Sequence, residues 1–193
     1  SLDLNQLQAA DELLCIPAIE DASGLRLFSI LISHPPFGDK DRPDFRARPH
    51  TELHATNDAA EFFTGDPSGI PVRNHLNVGH FAFDASAGAF NFADEASAVR
   101  ALQERRRSAW GKKSSPFTEM PKDWVLDDTT LPLLNPRVVV RDVVHSTNPR
   151  KVWAAVAPAR TLLTNKAPYL LFPRGDLPVQ AYVLGILGSS VCD

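Results

Sequence analysis

The sequence predicts an α+β fold in which helices and short antiparallel strands are mixed along the chain. Apolar residues recur at three- to four-residue spacing over 25–32, which is typical of a helix. Two β-branched runs, 138–144 and 152–156, flank a segment rich in Ser, Thr, Asn and Pro, which is the pattern of a β-hairpin. A further segment, 94–110, begins with acids and ends with arginines, as the helix dipole favours.

Composition sets the broad class of the protein. The chain has 193 residues, of which 44% are hydrophobic, so it can form a substantial core. No apolar run approaches the roughly 20 residues that span a bilayer. The net charge of −3 argues against a strongly basic, non-specific nucleic-acid binder. Residues 100–113 nevertheless hold six cations against one acid, which predicts a local basic patch.

Caps and breakers locate the helices. Asp21 and Ser23 can cap the helix over 25–32, and the prolines at 35 and 36 should end it near Ser33. Gly111 is a suitable residue to follow the end of the 94–110 helix. A helix is also predicted from Leu4. The last predicted helix, within 179–191, is apolar on nearly all faces, which predicts that it is buried against another part of a larger protein.

The segment 70–84 is predicted to form strands. His75, Asn77 and His80 alternate with apolar Leu76 and Val78. Polar side chains in that pattern can read DNA bases, or they can simply occupy the solvated face of a strand.

The hairpin carries an unusual set of polar residues. Arg141 and Asp142 interrupt its first β-branched run, and the turn contains Ser146, Thr147 and Asn148. Two cations, Arg150 and Lys151, follow, and a second polar cluster ends in Asn165 and Lys166. Amides, hydroxyls and charges on one surface supply the donors and acceptors that read polar base edges.

This stretch resembles a segment in the C-terminal half of large bacterial N6-adenine DNA methyltransferases, the single-chain restriction–modification enzymes and their phage-defence relatives. The pattern F-R-D-I…S-T-N-x-R-x-x-x-A-A-x-x-P…N-K is matched at Arg141, Asp142, Ser146, Thr147, Asn148, Arg150, Ala154, Ala155, Pro158, Asn165 and Lys166. Residues 51–62 (TELHATNDAAEF) and 182–193 (YVLGILGSSVCD) resemble two further segments of that family, in the same order.

The resemblance implies that this chain is a fragment of a larger multidomain protein of the bacterial cytoplasm. The expected function is recognition of a double-stranded DNA target. A methyltransferase domain of the same polypeptide would hold S-adenosylmethionine, and the fragment itself would hold no cofactor. Residues 1–125 and 126–193 are then two parts of one compact recognition unit, the second containing the hairpin and the closing helix.

The resemblance and the residue chemistry together predict which residues contact DNA. Asn148, Arg150, Lys151, Asn165 and Lys166 are the predicted readers, while Ser146 and Thr147 shape the turn. Arg141 and Asp142 either contact DNA or form an ion pair that orients the hairpin. Five cations are further candidates for contacts to the DNA phosphates: Arg105, Arg106, Arg107, Lys112 and Lys113. His75 and Asn77, in the predicted strands, are further candidates for reading bases. Solvated charge that matches the helix dipole is the structural alternative for the cations.

Catalysis by this chain itself is not expected. Residues 33–37 (SHPPF) are similar to the N-P-P-Y/F tetrapeptide of adenine methyltransferases, but His34 intervenes and no glycine-rich cofactor loop precedes them. They are better explained as a loop that ends a helix. His50 and His54 have the only metal-like spacing, and the two cysteines, Cys15 and Cys192, show no metal-binding pattern. The competing hypothesis is a non-catalytic scaffold or protein-interaction domain without nucleic-acid binding.

Overall fold

The α+β architecture is confirmed by a computed structural model of the chain, which describes residues 21–33, 41, 46–145, 147–174 and 177–189. Four features of the sequence lie outside these residues: the helix predicted from Leu4, the two cysteines, the prolines at 35 and 36, and Ser146. The helices are α1 (Ala22–Ile32), α2 (Ala59–Phe62), α3 (Glu95–Ala109), α4 (Lys122–Leu126) and α5 (Leu177–Leu187). The strands are β1 (Arg48–His50), β2 (Ile70–Arg73), β3 (Asn91–Ala93), β4 (Arg137–Val140), β5 (Ala154–Ala157), β6 (Leu162–Leu163) and β7 (Tyr169–Leu171).

The strands form two sheets, and each sheet joins distant parts of the chain. The larger sheet is antiparallel with the order β1-β7-β4-β5, and Arg48 is paired with Leu171 at one edge. The smaller sheet has the order β3-β2-β6, in which β2 runs antiparallel to β3 and parallel to β6. Both sheets therefore combine strands from before and after residue 125.

The predicted hairpin is present, with β4 paired antiparallel to β5 from Arg137↔Ala157 to Val140↔Ala154. Its first strand is shorter than predicted. The Arg141 backbone N–H still donates to the Trp153 carbonyl at 2.9 Å, but the Asp142 N–H donates to Lys166 O at 3.1 Å. The expectation that the charged pair lies inside the strand is therefore wrong, because the backbone turns from β5 towards Lys166 at that point.

The strand prediction for 70–84 is correct only at its beginning. β2 ends at Arg73, and His75–Asn77 form a 3-10 helical turn. The Asn74 side chain accepts from the Leu76 N–H at 2.9 Å and caps this turn, so the chain leaves the extended conformation. Beyond it, Val78 and Phe83 form a single antiparallel bridge.

The helices α1 and α3 each begin at an aspartate that caps them, as predicted for Asp21, and α3 is followed by the predicted Gly111. The Asp21 carboxylate accepts from the Gly24 N–H at 2.7 Å at the start of α1. The Asp94 carboxylate accepts from the Ser97 N–H at 2.9 Å at the start of α3, and Gly111 has φ +86 just beyond its end. A positive φ at that position suits glycine, which lacks a Cβ.

Apolar side chains form two main clusters, each drawn from both parts of the chain. One is centred on the larger sheet and includes Val78, Phe117, Val139 and Tyr169. The other lies between the smaller sheet and α3 and includes Val72, Leu102 and Leu162. The structure therefore places residues on both sides of position 125 in common cores.

The closing helix α5 is only partly covered. Val183 is fully buried, whereas Leu177 and Tyr182 are 75% and 58% exposed. Gly188, directly after the helix, lies against the Phe81 ring so closely that a Cβ would overlap it. None of the helices in the described part of the chain is long and apolar enough to cross a membrane.

Candidate nucleic-acid interface

Four segments that are far apart in the sequence meet at one surface near the end of the hairpin. The Asn165 side-chain oxygen accepts from the Ala55 N–H at 3.2 Å, which joins the 54–58 turn to the 165–166 segment. The Thr164 N–H donates to Arg73 O at 3.0 Å, and Asp142 N–H donates to Lys166 O. We call His75, Arg141, Asp142, Asn165 and Lys166 the polar cluster.

Three members of the polar cluster present hydrogen-bonding groups that the described residues leave unused. Asp142 and Lys166 are exposed, and neither side chain forms an ion pair or hydrogen bond within the described chain. The Asn165 amide nitrogen likewise has no partner there, although its oxygen is bound by Ala55. An anionic acceptor, a cationic donor and an amide donor therefore lie side by side.

The Arg141 guanidinium is oriented by an aromatic ring. Its central carbon lies 5.5 Å from the centre of the Trp153 ring, in the range of a cation–π contact. Its Nε is buried and has no hydrogen-bond partner among the described residues. Arg141 forms no ion pair with Asp142 in the described structure, so the predicted orienting ion pair is replaced by stacking on Trp153.

His75 is held in its neutral form by its surroundings. Burial, and then the positive charges of Arg141 and Lys166, lower the pKa of the imidazole, against a smaller raising effect from Asp142. Its Nδ1 is buried without a partner in the described chain. A neutral imidazole can both donate and accept a hydrogen bond.

Two predicted DNA contacts are buried structural residues instead. The Asn77 side chain is 1% exposed, and its amide donates to Asp84 O at 2.9 Å and Ala87 O at 3.1 Å. Arg106 is also 1% exposed and donates to Thr130 Oγ1 at 3.0 Å and Asp127 O at 2.9 Å. Neither side chain can reach a DNA surface, so both predicted roles are corrected.

The rest of the basic patch is divided between paired and exposed cations. Arg105 forms ion pairs with Asp58, at 3.0 Å, and with Glu61, and Arg107 forms one with Asp128. Lys112 and Lys113 lie exposed beyond the end of α3. Arg105, Arg106 and Arg107 thus hold α3 to its neighbours, whereas Lys112, Lys113 and Arg100 of the patch are exposed, as a phosphate contact requires.

The hairpin loop is held by its own hydrogen bonds. The Thr147 hydroxyl bonds His145 Nδ1 at 2.8 Å, and the Asn148 N–H donates to His145 O at 3.0 Å. Lys151 is exposed and its ammonium donates to Asn148 O at 3.2 Å. These contacts agree with a turn-shaping role for Thr147.

Arg150 reaches away from the polar cluster. Its Nη2 donates to the carbonyls of Gly188 and Ser189 at 2.9 and 3.0 Å, directly after α5. His80 Nε2 contacts the same Gly188 carbonyl at 2.8 Å. A cation at a helix C-terminus stabilises the unpaired carbonyls there. Arg150 therefore tethers the end of α5, and its role as a base reader stays a prediction.

Several residues around a second polar site were not predicted. Glu52 and Arg137 form a buried ion pair, and His50 packs edge-on against Phe117 and Tyr169. Among the described residues there is no group of three or more His, Cys, Asp or Glu side chains that could hold a metal ion. The sequence offered two signals for this site: an acid, Glu52, directly before the apolar Leu53, and an arginine, Arg137, at the start of a β-branched run.

Comparison with known proteins adds no family assignment. No protein-family model matches the sequence, and no curated protein matches it.

Proposed function

We propose that this chain is the DNA target-recognition region of an adenine-specific DNA methyltransferase or a fused methylase–endonuclease. The observation that carries the proposal is the meeting of the 54–58 turn, Arg141–Asp142 and Asn165–Lys166 at one surface. These are parts of the segments that resemble the methyltransferase family. A shared surface is what a common binding role requires of them.

The chemistry of the polar cluster suits direct reading of base edges. In the major groove, Arg and Lys pair best with guanine, Asn with adenine, and Asp accepts from cytosine. The cluster supplies one side chain of each kind: Arg141, Asn165 and Asp142, with Lys166 beside them. Stacking of Arg141 on Trp153 limits its freedom, so less entropy is lost when it binds.

Exposed cations around the cluster would set the position of the protein on the phosphates. Lys112, Lys113 and Lys151 are exposed, and phosphate contacts fix register without reading sequence. The chain has a net charge of −3, so affinity would depend on these local charges.

The methyl transfer would be performed by a methyltransferase domain of the same polypeptide, with S-adenosylmethionine bound there as methyl donor. The exposed apolar side chains of α5, Leu177, Tyr182 and Ile186, offer a surface for that domain. Arg150 and His80 fix the end of α5 to the body of the protein, so a domain bound there would be connected to the hairpin loop.

The proposal is tested by DNA binding of the 193-residue chain. Duplexes selected from a random library are measured by fluorescence anisotropy at several salt concentrations. We expect affinity to fall with salt, and Arg141→Ala to weaken binding to the selected sequence by about 1–3 kcal/mol relative to random DNA. Lys166→Ala should also weaken binding. Arg107→Ala is the matched control, because Arg107, which lies on α3, is already paired with Asp128.

Absence of salt-dependent binding, or unchanged binding by folded Arg141→Ala and Lys166→Ala, would reject the proposal. A non-catalytic protein-interaction domain is the second candidate. It is favoured by the exposed apolar residues of α5, which DNA binding does not use. That candidate predicts no DNA affinity in the same experiment.

A further inference from the structure

The 3-10 turn beside the polar cluster presents an apolar side chain to solvent. Leu76 is 65% exposed, although the next two residues, Asn77 and Val78, are each 1% exposed. Of the large apolar side chains in the described ranges, only Leu177 on α5 is more exposed. Leu76 therefore adds nothing to the two main apolar clusters, and its exposure requires another explanation.

The backbone that carries Leu76 is ordered by hydrogen bonds on both sides of it. The Asn74 side chain accepts from the Leu76 N–H at 2.9 Å, and the Asn77 side-chain oxygen accepts from the Asn74 N–H at 3.1 Å. The buried Asn77 amide donates to the carbonyls of Asp84 and Ala87. None of these bonds uses the Leu76 side chain. A binding partner would therefore meet a leucine on a preorganised turn, which lowers the entropy cost of binding.

This turn lies at the polar cluster. The carbonyl of Arg73, the last residue of β2, accepts from the Thr164 N–H at 3.0 Å, and Thr164 directly precedes Asn165. His75, which directly precedes Leu76, is itself a member of the polar cluster, and the charges of three other members act on its imidazole. Leu76 is thus carried by the same surface that holds the predicted base readers.

A second exposed apolar residue accompanies the cluster on the hairpin side. Val143 directly follows Asp142 and is 40% exposed. Two of the segments that form the cluster therefore add an apolar side chain to its donors and acceptors. In the major groove, the base edges carry hydrogen-bonding groups and one apolar group, which is the C5-methyl of thymine. A surface that combines polar and apolar side chains matches an edge that combines both.

We propose that Leu76 contacts the C5-methyl group of a thymine in the DNA target. The recognised sequence then contains a thymine within reach of the bases that the polar cluster reads. Contact with Leu76 removes apolar surface of both groups from water, which is favourable, and the methyl group helps to distinguish thymine from cytosine. This inference rests on the proposed function and adds a specificity-determining residue that the sequence analysis did not select.

The test uses the selected duplex and copies in which deoxyuridine replaces one thymidine at a time, a change that removes only the methyl group. Fluorescence anisotropy should show one position at which this change weakens binding to the parent chain about fourfold. Leu76→Ala should bind the thymine and uracil duplexes equally at that position. Leu126→Ala is the matched control, because Leu126 is 51% exposed on α4, and it should keep the preference of the parent chain for thymine.

Three results would overturn the inference and leave the proposed function standing. They are a target without any thymine whose replacement matters, a thymine preference that persists in Leu76→Ala, and a loss in Leu76→Ala that is equal for thymine and uracil duplexes. Absence of salt-dependent DNA binding by the parent chain would reject both proposals together. The uridine comparison on the parent chain needs no variant, so it decides even if circular dichroism shows that Leu76→Ala does not fold.

Discussion

Glu52 and Arg137 form an ion pair that is almost completely buried. Arg137 Nη2 lies 2.8 Å from Glu52 Oε2, and the two side chains are 5% and 3% exposed. Glu52 also accepts from the Leu163 N–H at 2.8 Å, and Arg137 donates to the carbonyls of Pro132 and Thr161. Burial raises the pKa of Glu52, although Arg137 acts in the opposite direction. The pair therefore connects three distant segments at the cost of desolvating both charges.

Removing one member of this pair should be far more harmful than removing both. Arg137→Met leaves the Glu52 carboxylate buried without its cation and should reduce the free energy of unfolding by about 3–5 kcal/mol. The double variant Glu52→Gln, Arg137→Met should recover a large part of that loss. Urea denaturation of the parent protein, Arg137→Met, Glu52→Gln and the double variant measures both effects. A double variant no more stable than Arg137→Met would contradict this account.

The free energy of unfolding should decrease as the pH falls from about 6.5 towards 4, in part because of His50. Burial lowers the pKa of His50 from 6.5 to about 4, so the unfolded chain binds a proton at His50 before the folded chain does. Its contribution is fully present above the unfolded pKa and is lost as pH falls towards the folded pKa. The loss amounts to about 3 kcal/mol.

His50→Phe keeps an aromatic ring against Phe117 and removes the titrating group. We expect the pH dependence of its unfolding free energy between about 6.5 and 4 to be weaker than in the parent protein. His54→Phe serves as the control, since His54 is exposed. Parallel pH profiles for the parent and His50→Phe would show that His50 is not buried as described.

Two glycines near the end of α5 should respond oppositely to alanine. A Cβ at Gly188 would overlap the Phe81 ring, whereas one at Gly185 meets no atom within 4 Å. Gly185→Ala should raise stability by up to about 1 kcal/mol, because alanine favours the helix. Gly188→Ala should lower it by about 1–3 kcal/mol, because Phe81 must move. Thermal denaturation compares them, and equal effects would refute the packing.

Asn77 should behave as a structural residue and not as a DNA reader. Asn77→Ala removes the side-chain donor of the Asp84 carbonyl and one of the two donors of the Ala87 carbonyl, which keeps Arg73, and should cost about 2–3 kcal/mol of unfolding free energy. His75→Ala, two residues away and half-buried, should cost less than about 1 kcal/mol. Chemical denaturation distinguishes the two, and a neutral Asn77→Ala would contradict the hydrogen bonds described.

The elements that the sequence predicted well depend on local signals. The start and end of α3 follow from Asp94 and Gly111, and the hairpin follows from β-branched runs around a polar turn. The strand prediction for 70–84 was wrong after Arg73, because alternation cannot be distinguished from a capped 3-10 turn without its hydrogen bonds. Local chemistry therefore explains both the successes and that error.

The roles of the predicted site residues depend on their hydrogen-bond partners within the folded chain, which the sequence does not show. Arg106 is predicted as a phosphate contact and Arg150 as a base reader. The Arg106 guanidinium donates to the Asp127 carbonyl, and that of Arg150 donates to the carbonyls of Gly188 and Ser189. Arg141 and Lys166 belong instead to the polar cluster, where Arg141 lies over the Trp153 ring and Lys166 is exposed. Which arginines remain exposed is decided by tertiary packing, which no spacing in the sequence reports.

The pairing of β1 with β7 also constrains how the chain folds as it leaves the ribosome. Arg48 pairs with Leu171, and Val72 pairs with Leu162. Because these partners are synthesised about 100 residues later, β1 and β2 cannot form these pairings until then. At typical synthesis rates that delay is roughly 5–20 s. The nascent chain exposes unpaired strand edges throughout this time, and its high contact order makes the final pairing slow. Expression yield should therefore respond strongly to chaperones and growth temperature.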